Sequence, residues 1–202
     1  MKDALLDYKL LQKWSSGMGG VFSKADLVNL FNESNPVVLN RRVGRLEKSH
    51  ALSRFIRGYY TAGDFDVQVL SARLNKNSYI SLGTVLAQEL IIGSVPARTL
   101  YAVKTGRSKF YRKGGFSLQY LGIAPHLFFG FENKDGVNIA TPEKAFLDAL
   151  YFYQKGQKFS FNIYTDMTLS RLDRRKIAAY LKKYKNPRFV NFVTGFLNDE
   201  RQ

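Results

Sequence analysis

Basic and hydrogen-bonding side chains follow one another between residues 35 and 61 in a pattern suited to a DNA duplex. Arg41, Arg45 and Lys48 recur at the spacing of one helix face, and Val37 and Asn40 lie near them. Arg can bind guanine and Asn can bind adenine through paired hydrogen bonds, and a valine can contact the methyl group of thymine. These side chains predict a helix face that reads base edges, with Lys48 directed to the phosphates.

The same segment contains the signals of the helix that must carry these side chains. Asn35 can cap the helix, and Pro36 fits its first position. Arg42 lies on the flank of the helix, nearer the core side, and is included among the predicted DNA contacts. Three apolar residues recur at i, i+4 and i+7 and predict the buried face, namely Leu39, Val43 and Leu46.

A short basic hairpin is predicted directly after this helix. Residues 52–56 and 59–61 have the composition of two strands, and Arg57 and Gly58 form the turn between them. Arg54 and Arg57 would then lie along the phosphates, as a wing does beside a helix that enters the major groove.

Two further helices are predicted ahead of the basic helix. Ser23 can cap the second of them, with Asp26 as its capping-box partner. The order of helix, helix, helix and hairpin predicts a winged helix-turn-helix domain over residues 1–62. The first helix covers residues 3–14, and its predicted apolar side includes Leu5, Tyr8, Leu11 and Trp14.

Residues 63–202 are predicted to form a second domain that mixes helices and strands, so the whole chain is expected to be α+β. Short strand-like runs between residues 98 and 141 alternate with turn residues and predict an antiparallel, meandering sheet flanked by helices. The aromatic residues of this region could form a base-stacking platform, but the core face of a half-buried sheet is the favoured interpretation.

Capping signals predict the helices that flank this sheet. Asp64 can cap a connecting helix, and Ser81 can cap another that follows it. Thr141 and Pro142 begin a well-capped helix. Two final helices are predicted over about residues 170–184 and 187–198.

A run of basic residues marks the final helices. A solvated helix face is one interpretation. A second contact with DNA or another anion is the other, because charges of one sign prevail there. Arg171, Arg175 and Lys182 would share one helix face. The candidate residues are Arg171, Arg174, Arg175, Lys182 and Lys183.

The overall composition favours polyanionic partners. The 202 residues contain 31 Lys and Arg against 16 Asp and Glu, a net charge of +15. This excess favours nucleic acid first and an anionic membrane surface second. No apolar run approaches the length that spans a bilayer, and we find no secretory signal. The absence of cysteine excludes disulfides and thiolate sites. We therefore expect a cytoplasmic protein without a membrane partner.

Motifs for catalysis or cofactor binding are missing from the sequence. No phosphate-binding loop, Rossmann glycine fingerprint or nucleophile elbow is present. His50 and His126 each stand alone, without a second ligand at metal-binding spacing. We expect no catalytic residues, no cofactor and no metal site. An enzyme that acts on nucleic acid is the least favoured hypothesis, because no carboxylate cluster could hold its metal ions.

Two segments of the chain resemble a known family. Residues 78–86 begin with Ser-Tyr-Ile-Ser-Leu, and residues 137–151 contain Ala-Thr-Pro-Glu-Lys-Ala-Phe-Leu-Asp. Together with a Phe-Phe-Gly-Phe element at residues 128–131, they resemble the AbiEi antitoxins. These proteins are the transcriptional regulators of viral defence in abortive-infection type IV toxin–antitoxin systems. The resemblance covers nearly the whole chain.

The resemblance implies a two-part repressor and antitoxin of a phage-defence system. Its winged helix would bind inverted repeats in the promoter of its own operon, as two subunits or as a monomer at each half-site. Its C-terminal domain would neutralise a toxin similar to nucleotidyltransferases, in this family usually without a stable complex. The alternative is a protein-interaction module, in which residues 64–202 bind a partner protein directly. The basic third helix and hairpin argue against that alternative.

Overall fold

The computed structural model describes residues 2–199, and the side chains of residues 5–198. Over that part of the chain the protein is α+β, with eight α-helices and two β-sheets, so the predicted fold class is confirmed at this level. The chain divides into two compact units, Met1–Leu74 and Asn75–Gln202. Each unit has its own sheet and its own helices.

The first unit, within residues 2–74, combines four helices with a three-stranded antiparallel sheet. In chain order its elements are α1 (Lys2–Ser15), β1 (Val21–Ser23), α2 (Lys24–Phe31), α3 (Pro36–Lys48), β2 (Ser53–Ile56), β3 (Tyr59–Thr61) and α4 (Val67–Leu74). The strand order is β1-β3-β2, so that β3 pairs with both neighbours.

The capping signals predicted at Ser23 and Asn35 form. The Ser23 hydroxyl accepts a hydrogen bond from the Asp26 amide at 3.1 Å, and the Asp26 carboxylate accepts one from the Ser23 amide at 2.7 Å. The Asn35 side chain accepts a hydrogen bond from the Val37 amide at 2.9 Å. The apolar face predicted for α3 is confirmed. The core of the unit includes Leu11, Phe22, Leu27, Leu39, Val43 and Leu46.

The apolar side predicted for α1 is confirmed at Leu11 and wrong at its other three residues. Leu5, Tyr8 and Trp14 are exposed, whereas Asp7 is buried beside Leu11. An ion pair between Asp7 and an arginine of α3 explains the difference, because it places a charged residue on the inner side of the helix. The spacing of the apolar residues in α1 could not reveal this ion pair, because the arginine that binds Asp7 lies on another helix.

Strand β1 was not predicted. It follows a turn in which Gly19 and Gly20 have φ values of 58° and 67°. A Cβ at residue 20 would lie 2.8 Å from the carbonyl oxygen of Ala62 and 2.9 Å from the Cα of Phe65. Glycine therefore allows the close approach that brings β1 alongside β3.

The two compact units divide later in the chain than the predicted boundary between residues 62 and 63. Helix α4 belongs to the first unit, because Arg73 of α4 bonds the Val21 carbonyl oxygen at 2.9 Å and the Asp26 carboxylate at 2.6 Å. The cap of this helix is Asp66 and not Asp64: its carboxylate accepts hydrogen bonds from the amides of the next turn.

The second unit contains a six-stranded sheet with the order β6-β7-β5-β4-β9-β8. Its strands are β4 (Ser78–Ile80), β5 (Thr99–Thr105), β6 (Lys109–Lys113), β7 (Phe116–Ile123), β8 (Phe131–Lys134) and β9 (Val137–Ala140). Its α-helices, within residues 75–199, are α5 (Leu82–Gln88), α6 (Pro142–Gln154), α7 (Arg174–Leu181) and α8 (Pro187–Asp199).

The prediction of an antiparallel sheet is wrong, because the sheet is mixed. Strands β5 and β7 run parallel over seven residue pairs from Thr99–Ser117 to Thr105–Ile123, and β4 runs parallel to β9. The hairpin of β6 and β7 causes the first parallel pair: β7 folds back along β6 and then pairs with β5 on its other side. Adjacency along the chain therefore does not account for the pairs β5–β7 and β4–β9.

Three local features of the second unit were not predicted or differ from the prediction. Strand β4 ends just before Ser81 and was not predicted. Residues 125–127 form a 3-10 turn, and β8 begins only at Phe131. Helix α7 begins at Arg174, after a 3-10 turn at residues 169–171, and is therefore shorter than the predicted helix.

A tight approach within β7 provides a test of this sheet. An added Cβ at Gly122 would lie 1.9 Å from the carbonyl oxygen of Gly106. We expect Gly122→Ala to lower the free energy of unfolding by about 1–3 kcal/mol through overpacking, measured by urea unfolding. The matched control is Gly195→Ala in α8, where an added Cβ meets nothing within 4 Å. An equal loss in both variants would contradict the packing explanation.

Candidate nucleic-acid interface

Helix α3 separates an apolar side from an exposed polar side. Leu39, Val43 and Leu46 are buried, whereas Val37 is 77% exposed. The cap at Asn35 sets the start of the helix, and the apolar period then turns the polar residues outward. The exposed predicted contacts on this helix are Val37, Asn40, Arg41, Arg45 and Lys48.

The basic residues of this exposed side have no acidic partner within the described residues. Arg41, Arg45 and Lys48 take part in no ion pair there, so their charges face solvent. An unpaired cation on a rigid helix can bind a phosphate or a base edge without first breaking a contact inside the protein. The structure therefore brings these three predicted residues together in a form that is free to bind an anion.

Arg42 has a different environment from its neighbours on α3. Its guanidinium forms an ion pair with buried Asp7, donates to the Phe31 carbonyl oxygen at 3.1 Å and lies 4.8 Å from the centre of the Phe31 ring. These contacts hold α1, α2 and α3 together. The Arg42 guanidinium is engaged inside the unit, which favours a structural role over the predicted DNA contact.

The predicted hairpin is present after α3. Arg54 lies on β2 and Arg57 in the turn, and both side chains are exposed. The register shifts between Arg54 and Ile56, and Gly58 has a φ of 84°, which closes the turn. Phe55 is buried and anchors the strand between the two exposed arginines.

The basic residues of the last two helices do not form the single face that their spacing predicts. Arg171 lies in the 3-10 turn before α7, and Lys182 follows the end of that helix. Arg174 donates to the Leu197 carbonyl oxygen at 2.7 Å, and the Lys183 ammonium lies 4.2 Å from the centre of the Phe129 ring. Arg171, Arg175, Lys182 and Lys183 remain exposed, but they are distributed over three different segments.

A buried polar network in α6 was missed at the level of sequence. The Lys144 ammonium, whose side chain is 0% exposed, forms an ion pair with fully buried Asp148 one helical turn later. Asp148 also accepts hydrogen bonds from the Tyr79 hydroxyl at 2.9 Å and the Ser81 hydroxyl at 2.8 Å. The Lys144 ammonium donates to the Tyr184 hydroxyl at 3.2 Å. The i, i+4 spacing of Lys144 and Asp148 was the available signal.

Aromatic rings enclose the ammonium group of this network. It lies 4.8 Å from the centre of the Phe129 ring and less than 6 Å from the rings of Tyr79 and Tyr184, at 5.6 Å and 5.7 Å. The negative faces of the rings stabilise the cation in place of water. The two charged groups of the network are therefore buried in the second unit, and each has its partners there.

Burial dominates the proton affinities in the network. Burial raises the pKa of Asp148 and lowers the pKa of Lys144, since each charged form loses water. The attraction between the two groups opposes both shifts. Burial, followed by repulsion from the Asp148 carboxylate, also holds the pKa values of Tyr79 and Tyr184 well above the ordinary value. Both hydroxyl groups therefore stay protonated at neutral pH, where that of Tyr79 donates to Asp148 and that of Tyr184 accepts from Lys144.

A second ion pair joins the start of α6 to α7. The Glu143 carboxylate lies 3.1 Å from the Lys176 ammonium and accepts a hydrogen bond from the Asp173 amide at 3.3 Å. Burial by itself raises the pKa of Glu143, but its own backbone amide, Lys176 and the Asp173 amide outweigh burial and lower that pKa. The carboxylate is therefore held in its charged form.

The Glu143 pair predicts an acid-dependent part of the stability. Because the folded pKa of Glu143 lies below its ordinary value of 4.5, the pair contributes its full stability above that value and loses it as the pH falls through the folded pKa. We expect Glu143→Gln to lower the free energy of unfolding by about 1 kcal/mol at pH 7 and to make it less sensitive to pH between about 3 and 5. Urea unfolding at a series of pH values measures both effects. An unchanged pH profile would contradict the role of Glu143.

Neither a metal site nor a membrane-spanning element is found among residues 2–199. No cluster of three or more His, Asp or Glu side chains among residues 5–198 could hold a metal ion. No helix in that part of the chain is both long and apolar enough to cross a bilayer. Comparisons with protein-family models and with curated proteins give no match to this chain.

Proposed function

We propose that this protein is a DNA-binding transcriptional repressor of its own promoter, with α3 as its recognition helix. The observation that supports this most directly is the exposed side of α3, where Asn40, Arg41 and Arg45 face solvent without ion-pair partners in the described part of the chain. An α-helix of this kind fits the major groove and presents donors to base edges. The exposed Lys48 adds a phosphate contact.

The first unit is proposed to be a winged helix-turn-helix domain. Two facts support this proposal: the element order α1-β1-α2-α3-β2-β3, and the β1-β3-β2 sheet that follows from it. In such a domain the β2–β3 hairpin is the wing, so Arg54 and Arg57 bind phosphates beside the groove. Arg42 is assigned to the packing of α1 against α3.

The antitoxin function is proposed from the resemblance to the AbiEi antitoxins. In this proposal the second unit neutralises a toxin similar to nucleotidyltransferases, encoded beside this protein. The Tyr-Ile-Ser-Leu and Thr-Pro-Glu-Lys-Ala segments, which carry the resemblance, both belong to the second unit. Cells that express the neighbouring toxin should grow again when this protein is co-expressed. A variant that no longer restores growth but still binds the upstream DNA would separate the antitoxin function from the DNA-binding function.

The DNA-binding function is tested by a salt-dependent titration on the DNA directly upstream of the gene. Scrambled DNA of equal length is the control. We expect a preference for the upstream DNA of at least about a hundredfold. If α3 and the hairpin neutralise about four phosphates, the logarithm of the affinity should fall against the logarithm of salt concentration with a slope of about −4. Equal, weak binding to both DNAs would contradict the repressor function.

A second candidate function is protein docking, and the surface of α1 supports it. Leu5, Leu6 and Trp14 are more than half exposed, at 58%, 56% and 51%. Large apolar side chains at the surface favour contact with another protein. Docking through α1 is tested with Leu6→Ser and Trp14→Ser in the toxin co-expression experiment. If these variants no longer restore growth but bind DNA as before, the result would support docking over repression alone.

A further inference from the structure

The six-stranded sheet of the second unit ends in an open edge at β6. The strand order places β6 last, beyond β7. Every residue of β6 pairs with β7 without a register shift, from Lys109 with Tyr120 to Lys113 with Phe116. All residues of β6 except Tyr111 are exposed. The outer side of this strand therefore has no strand partner among the described residues.

The other sheet edges in the described part of the chain are shorter or distorted. Strand β1 has 3 residues, and β2 has 4 with a register shift between Arg54 and Ile56. Strand β8 has 4 residues. Short strands and bulges protect an edge against the addition of another strand. Strand β6, with 5 residues and regular pairing, has neither form of protection.

The turn between β6 and β7 determines which backbone groups reach the open edge. Two glycines with φ values of 57° and 80° form a two-residue turn between Lys113 and Phe116. The residue pair that flanks such a turn is hydrogen-bonded, and the two kinds of pair alternate along an antiparallel ladder. The odd-numbered residues of β6 therefore bond to β7, whereas Phe110 and Arg112 direct their N–H and C=O groups outward.

The side chains of β6 define the charge of a strand that could pair with this edge. Lys109 and Lys113 project from one face of the sheet, and Arg112 projects from the other. Within residues 5–198 none of these three cations forms an ion pair, and residues 90–131 contain no Asp or Glu. Such cations oppose pairing with a second copy of the same basic edge. They attract carboxylates, so an acidic strand is complementary to β6.

Phe110 adds an apolar contact at the same edge. Its side chain is 58% exposed and lies on the same face as Arg112. A large apolar side chain can pack against the residue opposite it in a neighbouring strand. When an extended segment adds to a sheet, backbone hydrogen bonds provide affinity and side chains provide specificity. Strand β6 offers both, because outward backbone groups, cations and an exposed ring lie along one edge.

We propose that the edge of β6 binds an extended acidic segment of a partner protein, which adds to the sheet as a further strand. In the antiparallel orientation the segment reads acidic, acidic, apolar, apolar, acidic. Its residues then lie opposite Lys113, Arg112, Tyr111, Phe110 and Lys109 in that order. A nucleic-acid backbone fits less well, because phosphate oxygens only accept hydrogen bonds and leave the outward carbonyl groups without donors.

The site lies in the second unit, and the proposal does not rest on the repressor function. The test uses the full chain and a fluorescein-labelled peptide with the central sequence Glu-Glu-Val-Ile-Glu. Fluorescence anisotropy measures the binding, which we expect to saturate. Absence of saturable binding would overturn the proposal.

Methylation of the peptide backbone separates strand addition from attraction between charges. In the control peptide the second and fourth residues carry N-methyl groups, because these residues lie opposite Arg112 and Phe110. The control keeps every charge but loses the two N–H groups that would donate to β6. We expect it to bind about tenfold more weakly or worse. Equal binding of the two peptides would overturn the proposal, because it would show that charge alone holds the peptide.

Phe110→Pro tests the same edge from the side of the protein. The N–H group of Phe110 points outward, so proline removes a donor at the open edge without removing a bond to β7. Proline is tolerated at such positions of edge strands. We expect this variant to bind the acidic peptide about tenfold more weakly and to retain cooperative urea unfolding. Unchanged peptide binding by the folded variant would contradict strand addition.

Charge reversal on β6 provides a variant that keeps the backbone intact. We expect Arg112→Glu combined with Lys113→Glu to weaken binding of the acidic peptide by about tenfold or more. The matched control is Lys134→Glu combined with Lys158→Glu, which reverses two exposed cations of the same unit outside β6. We expect the control to change the binding by less than about threefold. Equal losses in the two double variants would overturn the proposal, because they would show a general effect of net charge.

Discussion

Asp148→Ala is expected to lower the free energy of unfolding by about 3–5 kcal/mol, the largest effect that we predict for a single substitution. The reason is the charge that remains: the Lys144 side chain is 0% exposed, and Asp148 is its only ion-pair partner among the described residues. The substitution also leaves the hydroxyl groups of Tyr79 and Ser81 without their acceptor. Urea unfolding followed by circular dichroism measures the loss.

The pH dependence of the variants should identify this mechanism. In Asp148→Ala, burial keeps the folded pKa of Lys144 below the unfolded value, so the unfolded chain binds more protons and stability rises with pH. In Lys144→Met, burial keeps the folded pKa of Asp148 above the unfolded value, so stability falls as the pH rises. Slopes of the same sign would contradict the assignment.

Two controls separate charge burial from a general loss of packing. Lys144→Met combined with Asp148→Leu removes both charges, and we expect this variant to be more stable than either single variant. Lys176→Met breaks the more exposed pair with Glu143 and should cost less than about 1 kcal/mol. Hydrogen exchange in α6 should increase in Asp148→Ala and remain slow in Lys176→Met.

Arg41→Ala is expected to weaken binding to the upstream DNA by about 1–3 kcal/mol, or about 5- to 150-fold, and to relax the base preference at one position. Arg41 is exposed on α3, and no contact inside the protein depends on its guanidinium in the described residues. A lost pair of hydrogen bonds to a base should therefore appear in binding without a loss of stability. Arg45→Ala should behave in the same way.

The matched variants for this prediction are Arg57→Ala, Arg42→Ala and Lys9→Ala. Arg57 is proposed to bind phosphate, so its loss should weaken upstream and scrambled DNA alike. Arg42→Ala should lower stability, because it leaves the Asp7 carboxylate buried without its partner. Lys9→Ala removes one exposed cation of α1. Equal losses on both DNAs for Arg41→Ala would contradict the base-contact assignment.

Signals that act within one or two helical turns were sufficient to predict α2, α3 and the start of α6. The caps at Ser23, Asn35 and Thr141 bond amides two or three residues ahead. The apolar period of α3 likewise depends only on its own geometry, so its exposed side, with Arg41 and Arg45, could be predicted before the fold was known.

The tertiary structure alone decided the features that depend on distant partners. It placed Tyr79 and Ser81 of one resembling segment in contact with Asp148 of the other, 69 and 67 residues away along the chain. Neither segment contains a local signal for this contact, because burial of Lys144 and Asp148 requires the packing of several elements. The sequence therefore determined the starts of α2, α3 and α6 and the basic face of α3. Long-range packing decided the mixed sheet, the ion pair between Asp7 and Arg42, and the burial of Lys144 and Asp148, since each depends on residues that meet only when the chain is folded.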